Sequence, residues 1–213
     1  MTAILAMDGP SGAGKSSTSK AIAVRAGWNY LDTGALYRGA TWLALNKKIQ
    51  SAEELLVALS QSPLKFNPNP KSPMLKCGEI DISDAIRSEE VTSQVSKFAA
   101  MPEIRSVLVA LQREIISNAE KGIVVEGRDI GTVVAPNAHL KIYLTADLTA
   151  RAKRREAELN TNEDLSQSLA TRDEMDSTRQ TSPLEQAIDA VLVDSTDLDL
   201  NETTELIWEL LKE

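Results

Sequence analysis

Residues 9–16 read GPSGAGKS, the pattern G-x-x-x-x-G-K-[ST], and their surroundings decide the fold. The stretch before them, residues 3–7 (AILAM), is wholly apolar and is closed by Asp8-Gly9-Pro10. A short continuous apolar run bounded by turn residues predicts a buried strand of a parallel sheet. Residues 15–26 predict a helix, with Gly27 as its stop. The motif therefore joins a strand to a helix, the context in which its glycines act. They let the backbone curl until successive N–H groups face one phosphate, and the helix adds the positive end of its dipole. Lys15 is placed to reach the terminal phosphates of a nucleoside triphosphate, and Ser16 to face a magnesium ion. The motif alone does not choose among switch GTPases, motor ATPases and small-molecule kinases.

The pattern continues outward. Strands are predicted at residues 28–31, 123–125, 140–144 and 190–193, and helices at 34–45, 52–59, 147–159, 164–179 and 202–211. A further helical region, 88–119, is broken near Pro102. Strands alternating with helices predict an α/β fold, a five-stranded, mostly parallel sheet with helices on both faces. Residues 63–73 hold four prolines and two asparagines, so they form neither a continuous helix nor a central strand. Residues 64–82 read as a small antiparallel insert.

Composition sets the outer bounds. The 213 residues suit one domain with a substantial core, 42% hydrophobic and 25% charged, with only 4% aromatic residues. A formal charge of -8 makes the chain a poor non-specific binder of nucleic acid or anionic membrane. A polyanionic substrate therefore needs a local basic pocket. A single cysteine, Cys77, allows no internal disulfide. The first ten residues lack a signal-peptide pattern and no apolar run is long enough to span a membrane, so the expected location is the cytoplasm. His139 and the tryptophans Trp28, Trp42 and Trp208 read as structural.

Ligands of such sheets bind beyond the carboxyl ends of the strands. Residues 32–38 (DTGALYR) follow the second strand and bring a hydroxyl, a phenol and a guanidinium together, although a capped helix with surface Tyr and Arg fits them equally. Residues 127–132 (GRDIGT) follow the third and carry an Arg-Asp pair suited to a phosphate and a base or ribose; a salt-bridged turn is the plainer reading. Arg151, Lys153, Arg154 and Arg155 share one predicted helix, and Arg172, Asp173, Asp176 and Arg179 the next. This density of arginine in an acidic chain predicts a mobile basic lid, against the alternative of a solvated, ion-paired helix pair. Charge stabilisation by arginine and exclusion of water are what phosphoryl transfer requires. The guanine motif Asn-Lys-x-Asp and a switch Asp-x-x-Gly after the third strand are both missing, which speaks against a GTPase.

Read together, GPSGAGK, DTGALYR, VSKFAAMPEIR, EGRDIGTVVAPNA, KIYLTADLTARAKRR and TRDEMDSTRQTSPLEQAIDAVLVDST resemble, in order and over nearly the whole chain, the bacterial cytidylate kinases of the nucleoside monophosphate kinase group. The resemblance implies phosphorylation of CMP and dCMP by ATP with Mg2+, by a monomer with no nucleic-acid or membrane partner. A kinase for UMP, AMP or shikimate is the alternative. It implies that Gly9, Pro10, Ser11, Gly12, Ala13, Gly14, Lys15, Ser16 and Ser17 bind ATP, with Ser16 and Ser17 toward the magnesium. Thr33, Tyr37, Arg38, Ser96, Arg105, Arg128, Asp129, Arg172, Asp176 and Arg179 would bind the acceptor. Lys15, Arg128, Arg151, Arg155 and Arg179 would act on the transferring phosphate. The chain would be one kinase domain, with a core of residues 1–32, 120–146 and 183–213, an acceptor-binding region 33–119 containing the insert, and a lid 147–182. Two departures stand out. The family usually has Gly-Thr where this chain has Ser16-Ser17, and commonly Asp where it has Glu126. The lid tip, residues 159–162, also lacks the glycine often found there.

Overall fold

The computed structural model describes residues 2–212. Five strands form one wholly parallel sheet in the order β2-β6-β1-β7-β8: β1 Ala3–Asp8, β2 Asn29–Asp32, β6 Gly122–Glu126, β7 Leu140–Thr145 and β8 Val191–Asp194. The five predicted strands are all present, shifted by about a residue at their ends. The apolar runs are explained by burial on both faces: every residue of β6 is buried. The pleat divides their side chains. Ala6, Leu31, Ile123 and Val125 face one core, and Leu5, Met7, Tyr30, Val124, Ile142, Leu144 and Val193 face the other.

The second core is covered by α1 Lys15–Ala26 and by α8 Leu200–Lys212, which contributes Ile207. The first lies under α2 Thr33–Lys47, α3 Ala52–Gln61, α4 Glu89–Ala99 and α5 Pro102–Ser117. Local chemistry sets their ends. Asp32, Ser51 and Ser88 cap α2, α3 and α4 through side-chain oxygens, and Pro102 occupies the first turn of α5, where no N–H is missed. The insert is an antiparallel sheet of β3 Leu64–Asn67, β4 Met74–Cys77 and β5 Ile80–Asp81. Its prolines stay outside the ladder, and β3 is an edge strand.

The stretch expected to form a lid is a pair of helices, α6 Leu148–Leu159 and α7 Ser166–Thr178. At its tip Asn160 takes φ 51°, the left-handed conformation for which glycine is the usual choice. Asparagine thus does the turning work in this chain. His139 is structural, as expected: its Nδ1 accepts the Ile4 N–H at 3.0 Å. Trp28 and Trp208 pack on the second core and Trp42 on the first. Among the described residues no helix is long and apolar enough to cross a membrane.

Candidate active site

Lines of motif residues converge on one cavity of about 570 Å³ at the carboxyl ends of the strands. The phosphate loop forms one wall. Gly9 holds φ 143°, and a Cβ there would lie 1.9 Å from the Leu144 carbonyl oxygen, so only glycine lets the loop pass β7 so closely. Gly14 is left-handed and hands the chain to α1. Lys15 folds back along the loop and donates to the Gly9 and Pro10 carbonyls at 2.8 and 2.7 Å. Burial, with the Arg128 charge alongside, lowers its pKa to about 7.

The opposite wall is the expected acceptor surface. Thr33, Tyr37, Arg38, Ser96, Arg105, Arg128, Asp129, Arg172, Asp176 and Arg179 all line the cavity. The Thr33 hydroxyl donates to the Glu126 carbonyl at 2.7 Å, which pins the start of α2 to the end of β6. This contact requires Gly127, where a Cβ would meet Thr33 Oγ1 at 2.5 Å. Arg38 pairs with Asp32 at 2.8 Å. Deeper in, Arg105 pairs with Asp129, both almost fully buried, and its guanidinium covers the Tyr37 ring 5.1 Å from the centroid. Arg179 NH2 approaches the other Asp129 oxygen at 3.7 Å. Burial raises the Tyr37 phenol above its ordinary range.

The lid meets the core through carboxylates. Asp176 accepts from Arg128 Nε at 2.8 Å; burial pushes its carboxyl up, but the Arg128 charge and hydrogen bond together with the Arg172 and Arg179 charges outweigh this and leave it below the usual range. Arg172 is lowered to about 10, first by burial and then by the neighbouring Arg128 and Arg38 charges. Several polar atoms around the cavity are buried without a partner: Tyr37 Oη, Arg38 Nε, Arg105 Nε, Arg172 Nε and Arg179 NH2. A pocket of unpaired donors and crowded guanidinium groups is prepared for a polyanion.

Three expected residues, Arg151, Gly9 and Pro10, are not on the cavity surface. The Arg151 guanidinium is buried under the loop, where it donates to the Ser11 and Ala146 carbonyls at 3.0 Å each and pairs with Asp173. Its position on the inner face of α6 makes it a strut between lid and loop, while Arg155 and its neighbour Arg154 open on the cavity. Arg154 is held by Ser195 Oγ at 3.0 Å and by the Leu198 carbonyl at 3.1 Å. Gly9 and Pro10 also contribute from behind, through their carbonyls.

Other residues of the site escape sequence reading. Asp8 accepts the N–H groups of Ile130 and Gly131 at 2.8 and 2.7 Å and so fixes the π-helical turn Ile130–Val134 that follows the Arg-Asp pair. Asp173 accepts the Ser11 N–H at 3.0 Å. The two family departures meet: Ser16 Oγ donates to Glu126 Oε2 at 2.9 Å, and the Tyr30 hydroxyl donates to Oε1. Glu126 carried a signal, a carboxylate at a strand end beside the loop. Asp173 stood among the charged residues of its helix, and Asp8 and Tyr30 carried no signal.

This architecture recurs among solved structures. A gluconokinase from Sinorhizobium meliloti 1021 superposes with a TM-score of 0.56 over 99% of this chain and 91% of that one, at 17% identity, a likeness of fold alone. An uncharacterized protein from Eubacterium ventriosum does so with a TM-score of 0.55 over 100% and 99% of the two chains, at 13% identity. Sequence relatives are nearer. The cytidylate kinase of Streptomyces griseus subsp. griseus is 48% identical over 214 residues, spanning 98% of this chain and 92% of that protein. The cytidylate kinase of Streptococcus pneumoniae (strain Hungary19A-6) is 47% identical over 212 residues, spanning 95% of this chain and 94% of that protein. The family model described as Cytidylate kinase matches residues 5–213, nearly the whole chain, and the chain belongs to the cytidylate kinase family.

Proposed function

We propose that the protein transfers the terminal phosphoryl group of ATP to CMP and dCMP, giving ADP with CDP or dCDP. The observation that carries this reading is a single cavity with a phosphate loop on one wall and, on the other, four arginines, Arg38, Arg128, Arg172 and Arg179, above the buried Arg105–Asp129 pair. The arginines suit the acceptor phosphate. Asp129 suits an amino group of the base; Arg105 pairs with it, and Ser96 lines the same cavity. Thr33, Tyr37 and Asp176 complete the acceptor contacts, Asp176 toward the ribose.

The acceptor phosphate has a second pKa near about 6, so at neutral pH it is its own nucleophile and needs no general base. The protein's work is placement and charge. Lys15 leaves the loop carbonyls for the transferring phosphate, Arg128 and Arg179 hold the incoming one, and Arg154 and Arg155 cover the exchange from the lid. Arg151 acts one step back, through Ser11. The three-part division into core, acceptor region and lid makes closure of residues 147–182 the event that expels water.

Mg2+ belongs to this reading. Among the described residues no group of three or more His, Cys, Asp or Glu forms a metal cage. A hydroxyl beside a buried carboxylate at the loop, Ser16 with Glu126, fits a cation that arrives on the nucleotide phosphates. When bound, it neutralises charge on those phosphates.

A coupled ADP-release assay with ATP and a panel of CMP, dCMP, UMP, AMP, GMP and shikimate tests the proposal, with a control lacking acceptor. Turnover is expected with CMP and dCMP; preference for AMP or shikimate would overturn it. Asp129→Asn separates binding from base catalysis. It should raise the CMP KM by about tenfold or more, the loss of a charge-assisted hydrogen bond worth roughly 1.5–3 kcal/mol, with kcat less affected. A collapse of kcat at unchanged KM would assign Asp129 to proton transfer.

A further inference from the structure

Tyr30 lies outside the main cavity, with its ring 1% exposed in the second core. It is two residues from the end of β2, paired with Val124, while Asp32 pairs with Glu126. The pleat therefore sends Tyr30, Val124 and Glu126 to the same face of the sheet, the face that α1 covers. Ser16 stands at the start of that helix. Three elements thus bring three side chains into one line: Tyr30 Oη donates to Glu126 Oε1, and Ser16 Oγ donates to Glu126 Oε2 at 2.9 Å.

We infer that Tyr30 is a positioning residue of the nucleotide-donor site: its hydroxyl holds the Glu126 carboxylate, and the carboxylate in turn orients the Ser16 hydroxyl toward the divalent cation of the bound nucleotide. The inference rests on the donor-site reading above. Hydrogen-bond accounting supports it. A serine hydroxyl has one proton and two lone pairs. Once the proton is committed to Glu126, the oxygen that faces the loop can only accept, which is what a cation requires. Glu126 is 4% exposed, so each of its oxygens needs a donor, and without Tyr30 one would lack a partner and the carboxylate would be free to turn. The inference assigns the metal to Ser16 because its hydroxyl is the one bonded to the Glu126 carboxylate.

Calorimetric titration with the β,γ-imido analogue of ATP, with excess Mg2+ and again with EDTA, reads the metal-linked gain in affinity without turnover. Absence of that gain in the unsubstituted protein would fault the donor-site reading itself. Given the gain, Ser16→Ala should reduce it by about tenfold, the size of an outer-contact loss at a metal site, and Tyr30→Phe should reduce it by severalfold. Affinity in EDTA should be unchanged in Tyr30→Phe, and the double variant should lose no more of the metal-linked gain than Ser16→Ala alone. The inference is overturned if Tyr30→Phe keeps the full gain, if it weakens binding equally with and without metal, or if its effect multiplies with that of Ser16→Ala. Should Tyr30→Phe fail to fold, Glu126→Gln carries the same test: loss of the gain without further loss on adding Ser16→Ala supports the relay, and an undiminished gain sinks it.

Discussion

Asp8 is the residue whose chemistry reaches furthest from its own position. It is 4% exposed and ends β1, and its two oxygens hold the turn behind Arg128 and Asp129. Burial raises its pKa from 3.8 to about 6; the two N–H donors and Lys15 oppose the shift, and Asp129 adds to it. The folded state therefore keeps a proton on Asp8 through a window in which the unfolded chain has released it. The sign follows: this group's contribution to stability falls as pH rises from about 4 to about 6, by on the order of 3 kcal/mol, and is regained on acidification. Urea unfolding of the unsubstituted protein and Asp8→Asn at pH 4.5 and 7 should show their stability difference shifting in favour of the unsubstituted protein at the lower pH. Parallel curves would refute the assignment.

At the scale of elements, local pattern made most of the fold legible. The runs AILAM, IVV and LKIYL read as strands because both sheet faces are covered, and the proline cluster marked the insert because proline cannot enter a ladder. The site was legible where one stretch carries several polar residues, as in residues 32–38 and 126–132. It was not legible where partners meet across the sheet. Tyr30 and Glu126 are 96 residues apart, and Asp8 and Gly131 are 123 apart, so neither pair leaves a local period or spacing to read. For Arg151 and Arg155 local pattern and packing part: helix periodicity groups the two, but packing sets one against the loop backbone and the other on the cavity. The junction of β6 with α2 depends on the bare Cα of Gly127. Gly127→Ala should push Thr33 away from the Glu126 carbonyl, costing about 1–3 kcal/mol in stability by overpacking and raising the CMP KM at nearly constant ATP KM. Equal shifts in both KM values would argue against so local an effect.

For the whole molecule, charge is arranged against its own sum. The chain carries a net charge of -8, yet its cavity crowds guanidinium groups until Arg172 is lowered to about 10. Asp176 offsets part of that repulsion and a bound anion would offset more, so ligand phosphate should dominate stabilisation. CMP at a hundredfold its Kd should add about 2.7 kcal/mol and raise Tm by roughly 5–10 °C, while cytidine at the same concentration should add little. Comparable shifts from both would transfer the binding energy to the base. Strand order has a consequence for biosynthesis. β6 lies between β1 and β2 in the sheet, but β2 ends at Asp32 and β6 begins at Gly122. During synthesis the phosphate loop and its strand leave the ribosome long before the strand that will flank them exists. The nascent N-terminal third must therefore wait with apolar strands unpaired, a state open to aggregation and to capture by chaperones. Kinase activity, which needs residues from both ends of that delay, marks the moment when the chain has finished folding.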